Sequence, residues 1–262
     1  MTLYSYSMKS RNQAVARQRG FTLIEIAIVL LLVVILLGYT VAMFPVQQEL
    51  KQYRTAEREM DLIVGELIAY AQVNGRLPCP DTTGDGEENR VGTNDCTGFF
   101  GFLPARTMGI NGKYDTNGLL VDPWSSGYGY AVSEFNANIA GGGNADIDLV
   151  TANGIRDEGL ANVVPDLFVC DDSGVLGNHL DCAAAGSNQV AGNVAAVVVS
   201  LGKDLDIPAT SNIQAENLDD FNDGTNDKVY ISASRRDDYD DVTRWISTNL
   251  LFSRMIEAGQ LP

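Results

Sequence analysis

One carboxylate in this sequence stands where carboxylates are seldom tolerated. From Phe21 to Phe44 the chain runs through 24 residues whose only charged member is Glu25. As a helix that run would be roughly 36 Å long, enough to cross a bilayer. An ionised carboxylate in hydrocarbon is costly, so Glu25 needs a counter-ion. No Lys, Arg or His lies between Phe21 and Lys51. The nearest cation at that depth would be a new α-amino group on Phe21, made by cutting the Gly20–Phe21 bond. Glu25 lies four residues further on, about one helical turn. The chemistry on offer is a peptide cleavage followed by an ammonium–carboxylate pair, within one chain or between staggered neighbours.

The element that must position these groups is a long helix. Four basic residues precede it (Lys9, Arg11, Arg17, Arg19) and no acidic ones. That bias keeps the first residues in the cytoplasm and places the rest of the chain outside. A secretory signal is cut on the far side of its apolar core, whereas Gly20 stands before this one. Residues 1–20 therefore read as a leader, 21–45 as the membrane half of the helix and 46–75 as an amphipathic half. Pro45 should kink the helix. Val46, Leu50, Tyr53, Met60, Val64, Leu67 and Ala71 recur at spacings of three and four, interrupted by Glu57, and predict one apolar stripe against a head at residues 76–262. Asn74-Gly75 predicts the stop.

Gly20-Phe21-Thr22-Leu23-Ile24-Glu25 resembles the prepilin cleavage and methylation motif of type IV pilins and type II secretion pseudopilins. The resemblance implies cleavage after Gly20 by prepilin peptidase, N-methylation of Phe21, and a Glu25 that pairs with the terminus of an adjacent subunit. It implies an α+β fold of lollipop form: a long N-terminal helix packed on a small antiparallel β-sheet head with loop insertions. Asp122-Pro123-Trp124, with Gly127-Tyr128-Gly129-Tyr130 after it, resembles the segment that enters the first strand of such heads, with Ser125-Ser126 in place of the usual glycine. The implied partners are other pilin or pseudopilin subunits through residues 21–45, prepilin peptidase, an inner-membrane assembly platform and the inner membrane itself. The implied location is that membrane, with the head in the periplasm, and then a filament.

The full chain carries 18 basic and 34 acidic residues, a net of −16. Without the leader, 14 basic would stand against 34 acidic, a net of −20. Such acidity argues against nucleic acid and suits cation binding. Asp204 and Asp206, with Asp238, Asp240 and Asp241, are candidate calcium ligands, because calcium takes several oxygens in flexible geometry. This end of the chain is also similar to the calcium-binding end of the type II secretion major pseudopilin head. The segment Asp81 to Asn89 has oxygen ligands at calcium-loop spacing but Gly92 at the twelfth position, which favours a surface turn. Four cysteines, Cys79, Cys96, Cys170 and Cys182, predict disulfides in an oxidising compartment. Sequential pairing is the simplest of three connectivities.

In the head, Tyr128, Tyr130 and Val132 predict a half-buried strand, residues 135–162 a flexible insertion, and Val163–Cys170 a strand confined to an edge by Pro165. Asn193–Leu201 predicts the central strand. Val229–Ser232 predicts another. Ser247 should cap a closing helix that stops at Gly259. There is no nucleophile elbow, P-loop or paired metal-ligand histidine, and His179 is the only histidine. The expected role is structural and not enzymatic: a minor pilin or pseudopilin. A filament-tip adhesin or substrate-binding subunit is the alternative, and a membrane-anchored periplasmic enzyme the remote one.

Overall fold

The computed structural model describes residues 20–135, 148–171, 188–203, 217, 228–236 and 239–262; inside the first helix the side chains at 39–46 are also outside the description. The chain divides into two compact units, residues 1–49 and 50–262. The first unit's described part is helical from Leu23 onward. That helix, α1, is assigned without a break over Leu23–Asn74, so Pro45 does not end it.

In the second unit, residues 50–74 of α1 bury Ala56, Met60, Ile63, Leu67 and Ala71 completely or nearly so, with Tyr53 and Val64 partly covered. The stripe is therefore not quite the expected one. Leu50 is 45% exposed, and Ala56 and Ile63 take core positions. The 3.6-residue repeat leaves several phases open, and which one faces the sheet depends on the sheet. Gly75 ends the helix at φ 69°, its N–H donating to Ala71 O at 2.8 Å.

The other elements are β1 (Arg90–Val91), β2 (Asp95–Cys96), β3 (Phe100–Phe102), α2 (Ala105–Met108), β4 (Gly129–Val132), α3 (Gly154–Glu158), β5 (Leu167–Cys170), β6 (Gln189–Ser200), β7 (Val229–Ile231), β8 (Val242–Ser247) and α4 (Thr248–Glu257). The fold is α+β. β1 and β2 form a small antiparallel ribbon. The remaining six strands form one sheet in the order β3-β4-β6-β5-β7, with β8 also on β6.

β6 is the organising strand, as its valine run predicts. Val197 pairs with Ala131 of β4 and with Trp245 of β8, and Val194 pairs with Leu167 of β5 and with Ser247 of β8. A residue has only two edges, so β4 and β5 lie end to end along one edge of β6, opposite β8. The joint is polar. Ser133 Oγ donates to Asp166 Oδ1 at 2.6 Å and accepts the Asp166 N–H, and Lys228 reaches Asp166 and Glu134.

One face of the sheet offers Tyr130, Val132, Ala196, Val198 and Ile246 to α1 and α4. The other holds Ala131, Leu167, Val169, Val197, Val199 and Tyr230. With both faces apolar, alternation fades into the continuous hydrophobic run of β6. For the same reason β4 is buried at all four residues and not half-buried as expected.

Three further expectations are corrected. β5 and β7 run parallel, so the sheet is not wholly antiparallel. β5 starts after Pro165 and lies between β6 and β7, not at an edge. β3, unrecognised in the sequence, precedes the Asp122 segment, whose strand β4 is thus the second of the sheet. Residues 148–162 of the expected insertion are not a loose loop. Leu149, Val150 and Ile155 are fully buried, and the Leu149 carbonyl accepts the Leu77 N–H at 2.8 Å. Residues 136–147 and the expected Cys170–Cys182 hairpin loop, with His179, lie outside the described residues.

Candidate functional site

Thr22 and Glu25 build the start of α1 between them. The Glu25 N–H donates to Thr22 Oγ1 at 3.3 Å, while the Thr22 N–H and hydroxyl both reach Glu25 Oε2 at 3.1 Å. This is a reciprocal capping box, in which the N-cap threonine and the third helical residue satisfy each other's backbone donors. The Ile26 N–H then donates to Thr22 O at 3.2 Å and opens the helical ladder. A carboxylate in the first turn also complements the positive end of the helix dipole. Sequence reasoning assigns Glu25 a counter-ion and misses this local partner, which the Thr-x-x-Glu spacing signals.

Gly20 and Phe21 precede the cap and are outside the helix. Phe21 is 81% exposed, and a Cβ built on Gly20 would meet nothing within 4 Å. Among the described residues nothing covers the Gly20–Phe21 bond. A cut there would place the new α-amino group one residue before the cap. The capping box would survive it, because the Thr22 N–H remains an amide. Beyond Glu25, every described side chain to Gly38 is exposed and uncharged, from Ile26 and Ile28 through Leu37. Among the described residues nothing buries this apolar surface. Among the described residues no helix is long and apolar enough to cross a membrane; the apolar run with described side chains stops at Gly38.

Residues 15–41 match the prokaryotic N-terminal methylation motif. The match takes in Gly20, Phe21, Thr22 and Glu25, and it supports a type IV pilin- or pseudopilin-like family for the chain. No curated protein matches the chain, and no solved structure matches it. The match covers the start of α1 and none of the residues after 41.

Of the candidate calcium ligands, Asp204, Asp206 and Asp238 lie outside the described residues. The other two are adjacent and engaged by protein donors. Asp240 Oδ2 accepts the Lys203 N–H at 2.8 Å, beside Gly202 at φ 66°, where a Cβ would fall 2.5 Å from the Asp240 carboxyl carbon. Asp241 Oδ2 accepts from the amide of Asn217 at 2.9 Å. That buried asparagine also bonds Ile231 through its N–H and carbonyl, and Tyr239 and Thr243 donate to the same carbonyl. Burial and then the Asp241 charge push the Tyr239 phenol up. Among the described residues no three His, Cys, Asp or Glu side chains group so as to hold a metal ion.

The Asp81 loop is a turn. Its buried carboxylate accepts the N–H groups of Thr83, Gly84 and Gly86 and the Thr83 hydroxyl. Cys79–Cys96 closes the segment that contains it, with Cα atoms 5.4 Å apart. Cys170 is also disulfide-bonded, while Cys182 lies outside the described residues. Beside the first disulfide, Arg76 and Arg90 flank Glu88 at 2.8 and 3.6 Å. Glu88 also accepts the Cys79 N–H and the Tyr70 hydroxyl. Burial raises the Glu88 carboxyl, but the Arg76 bond, the Cys79 N–H and the two guanidinium charges outweigh it and hold the group below its usual range. Asp122 is the opposite case. Burial raises it despite the Ser200 hydroxyl and the backbone bonds from Ser126 and Trp124. Its loop carries Ser125 at φ 77°, a left-handed position held by a serine where glycine is the easier residue.

Proposed function

We propose that this chain is a filament subunit of the type IV pilin or type II secretion pseudopilin kind, made as a precursor and matured at Gly20–Phe21. The observation that carries the reading is the coincidence of the methylation motif with an exposed bond, a carboxylate fixed one turn away and an unpartnered apolar helix. In this reading residues 21–44 first sit in the inner membrane and then pack against like helices. Prepilin peptidase cuts after Gly20, and the new amine of Phe21 is methylated. An amine accepts a methyl group only through its free lone pair. The helix N-terminus disfavours the protonated amine, and Glu25 offers a charge partner once the methylated ammonium has formed.

Transfer from lipid to a filament core gains little hydrophobic free energy, because the helix has already left water. Packing, the Glu25 pair and an energised assembly platform must supply the rest. The head of residues 76–262, with its insertions, favours a minor subunit over a shaft subunit. The role is structural and not catalytic.

Mass spectrometry of the protein from its native host tests this directly. The expected mature chain begins at Phe21 with one added N-methyl group. A chain that retains residue 1 and an unmodified Phe21 would overturn the reading.

A further inference from the structure

Residues 59–63 of α1 and residues 110–113 line a pocket with about 350 Å³ of empty space, part of it open to solvent. Its floor is aliphatic: Ile63, Leu120 and Val121 are buried there, and Leu62 lines it while 69% exposed. The wall at residues 110–113 is fixed by the chain itself. The Ile110 N–H donates to Ala105 O at 3.0 Å, the Tyr114 hydroxyl donates to Ile110 O, and the Val121 N–H donates to Lys113 O at 2.9 Å. A Cβ on Gly112 would fall 2.3 Å from Leu120 Cδ1, so this wall rests directly on the floor.

Two opposite charges line the pocket and do not meet. Glu59 Oε2 accepts the Tyr128 hydroxyl at 2.7 Å, and Lys113 Nζ donates to Ser125 Oγ at 2.9 Å. Among the described residues neither forms an ion pair, with the other or with a third group. Elsewhere in the head such charges find each other, as Arg76 finds Glu88. Burial, and then Glu59, pushes the Tyr128 phenol up, so it stays a neutral donor. It orients the carboxylate and leaves the charge unanswered.

We propose that this pocket binds a free aliphatic α-amino acid of the size of valine or leucine. The ammonium of the ligand sits on Glu59, its carboxylate on Lys113, and its side chain on Ile63, Leu120 and Val121. Each charged contact is a hydrogen bond between ions, stronger than a neutral one. Ligand pockets begin at about 300 Å³ and combine apolar walls with a few placed polar groups, so a pocket of this kind takes a small molecule. The pair of charges selects against the alternatives. A simple cation would meet Lys113, and a simple anion would meet Glu59 on a chain of net charge −16. An uncharged apolar molecule would strip water from both ions and return nothing. The site uses none of residues 20–49, so it stands or falls apart from the filament reading above.

Isothermal titration calorimetry of the full-length protein in detergent tests it, with L-valine, L-isoleucine and L-leucine as probes. At least one should bind at millimolar concentration or below. Isoamylamine lacks the carboxylate and isocaproate lacks the ammonium; each should bind at least about tenfold more weakly than L-leucine, because one charged hydrogen bond is lost. Lys113→Gln changes an exposed side chain and should weaken the amino acid about tenfold without weakening isoamylamine. Glu59→Gln, which can still accept the Tyr128 hydroxyl, should weaken the amino acid by a similar factor without weakening isocaproate. No binding by any of the three amino acids would overturn the proposal. Equal binding of L-leucine and isoamylamine would do the same, as would binding that neither substitution alters.

Discussion

Leu30 and Leu67 are the same residue type on the same helix, yet Leu30 is 59% exposed and Leu67 is wholly buried. Around Leu67 the apolar residues occupy one side of the helix and face a sheet built by the same chain. Around Leu30 they occupy every side. The first arrangement closes within the molecule. Among the described residues nothing covers the second. The carboxylates of the two regions differ in the same sense. Glu88 is held by Arg76, Arg90 and Cys79, brought in from elsewhere in the chain, whereas Glu25 is held by Thr22, three residues away. Stability in one region is tertiary; in the other the described contacts are local.

Leu67→Ala is the widest test of that contrast. It should destabilise the head by about 2–5 kcal/mol, through lost burial and the cavity left behind. Thermal or denaturant unfolding of the purified protein would show this as a lower midpoint. A loss under about 1 kcal/mol would mean that the helix is not part of the head's core.

Glu88→Gln should cost about 1–3 kcal/mol at neutral pH, by leaving two half-buried guanidinium groups without their charge. Its pH dependence has a definite sign. The folded pKa of Glu88 lies below its unfolded value, so the contribution is present above the unfolded pKa. It is lost as pH falls through the folded one. The gap between wild type and variant should therefore shrink with acid, below about pH 4. A gap that grew with acid would reverse the assignment.

Thr22→Ala should weaken the first turn of α1 by about 0.5–2 kcal/mol and leave the head's unfolding midpoint unchanged. Faster amide exchange at Leu23 to Ile26 would report it. Unaltered exchange there would show that Glu25 does not depend on its threonine. Leu30→Ala stands at the small end: head unfolding should not move measurably, because the side chain is 59% exposed and among the described residues nothing packs over it. A midpoint shift as large as that of Leu67→Ala would erase the distinction between the two regions.

Parts of the head are readable because their signals are local. Ser247 accepts the Leu250 N–H and Gly259 takes φ 75°, as the helix-capping rules require. Asp115 accepts three successive N–H groups in the Asp-Thr-Asn-Gly turn, a sequence that favours such a turn by itself. The valine run of β6 announces a strand buried on both faces. Other parts are not readable. β3 is three residues long and contains a glycine; its pairing with β4 is what makes it a strand. Leu149, Val150 and Ile155 are too few among Asn, Gly and Ala to show a period, and they are core because Leu77 and α1 are beside them. The Thr22–Glu25 box is legible in the sequence from its Thr-x-x-Glu spacing.

The amino-acid sequence by itself determined the first region: the bond at Gly20–Phe21, the single carboxylate one turn on and the unbroken apolar run. Each of these depends only on residues within a few positions of one another along a helix. Only the tertiary structure decided the second. The phase of the α1 stripe, the parallel seating of β7 on β5, the end-to-end joint at Ser133–Asp166 and the engagement of Asp240 and Asp241 all join residues distant in sequence. Such contacts depend on which surfaces meet once the chain has closed, and spacing along the chain does not encode that.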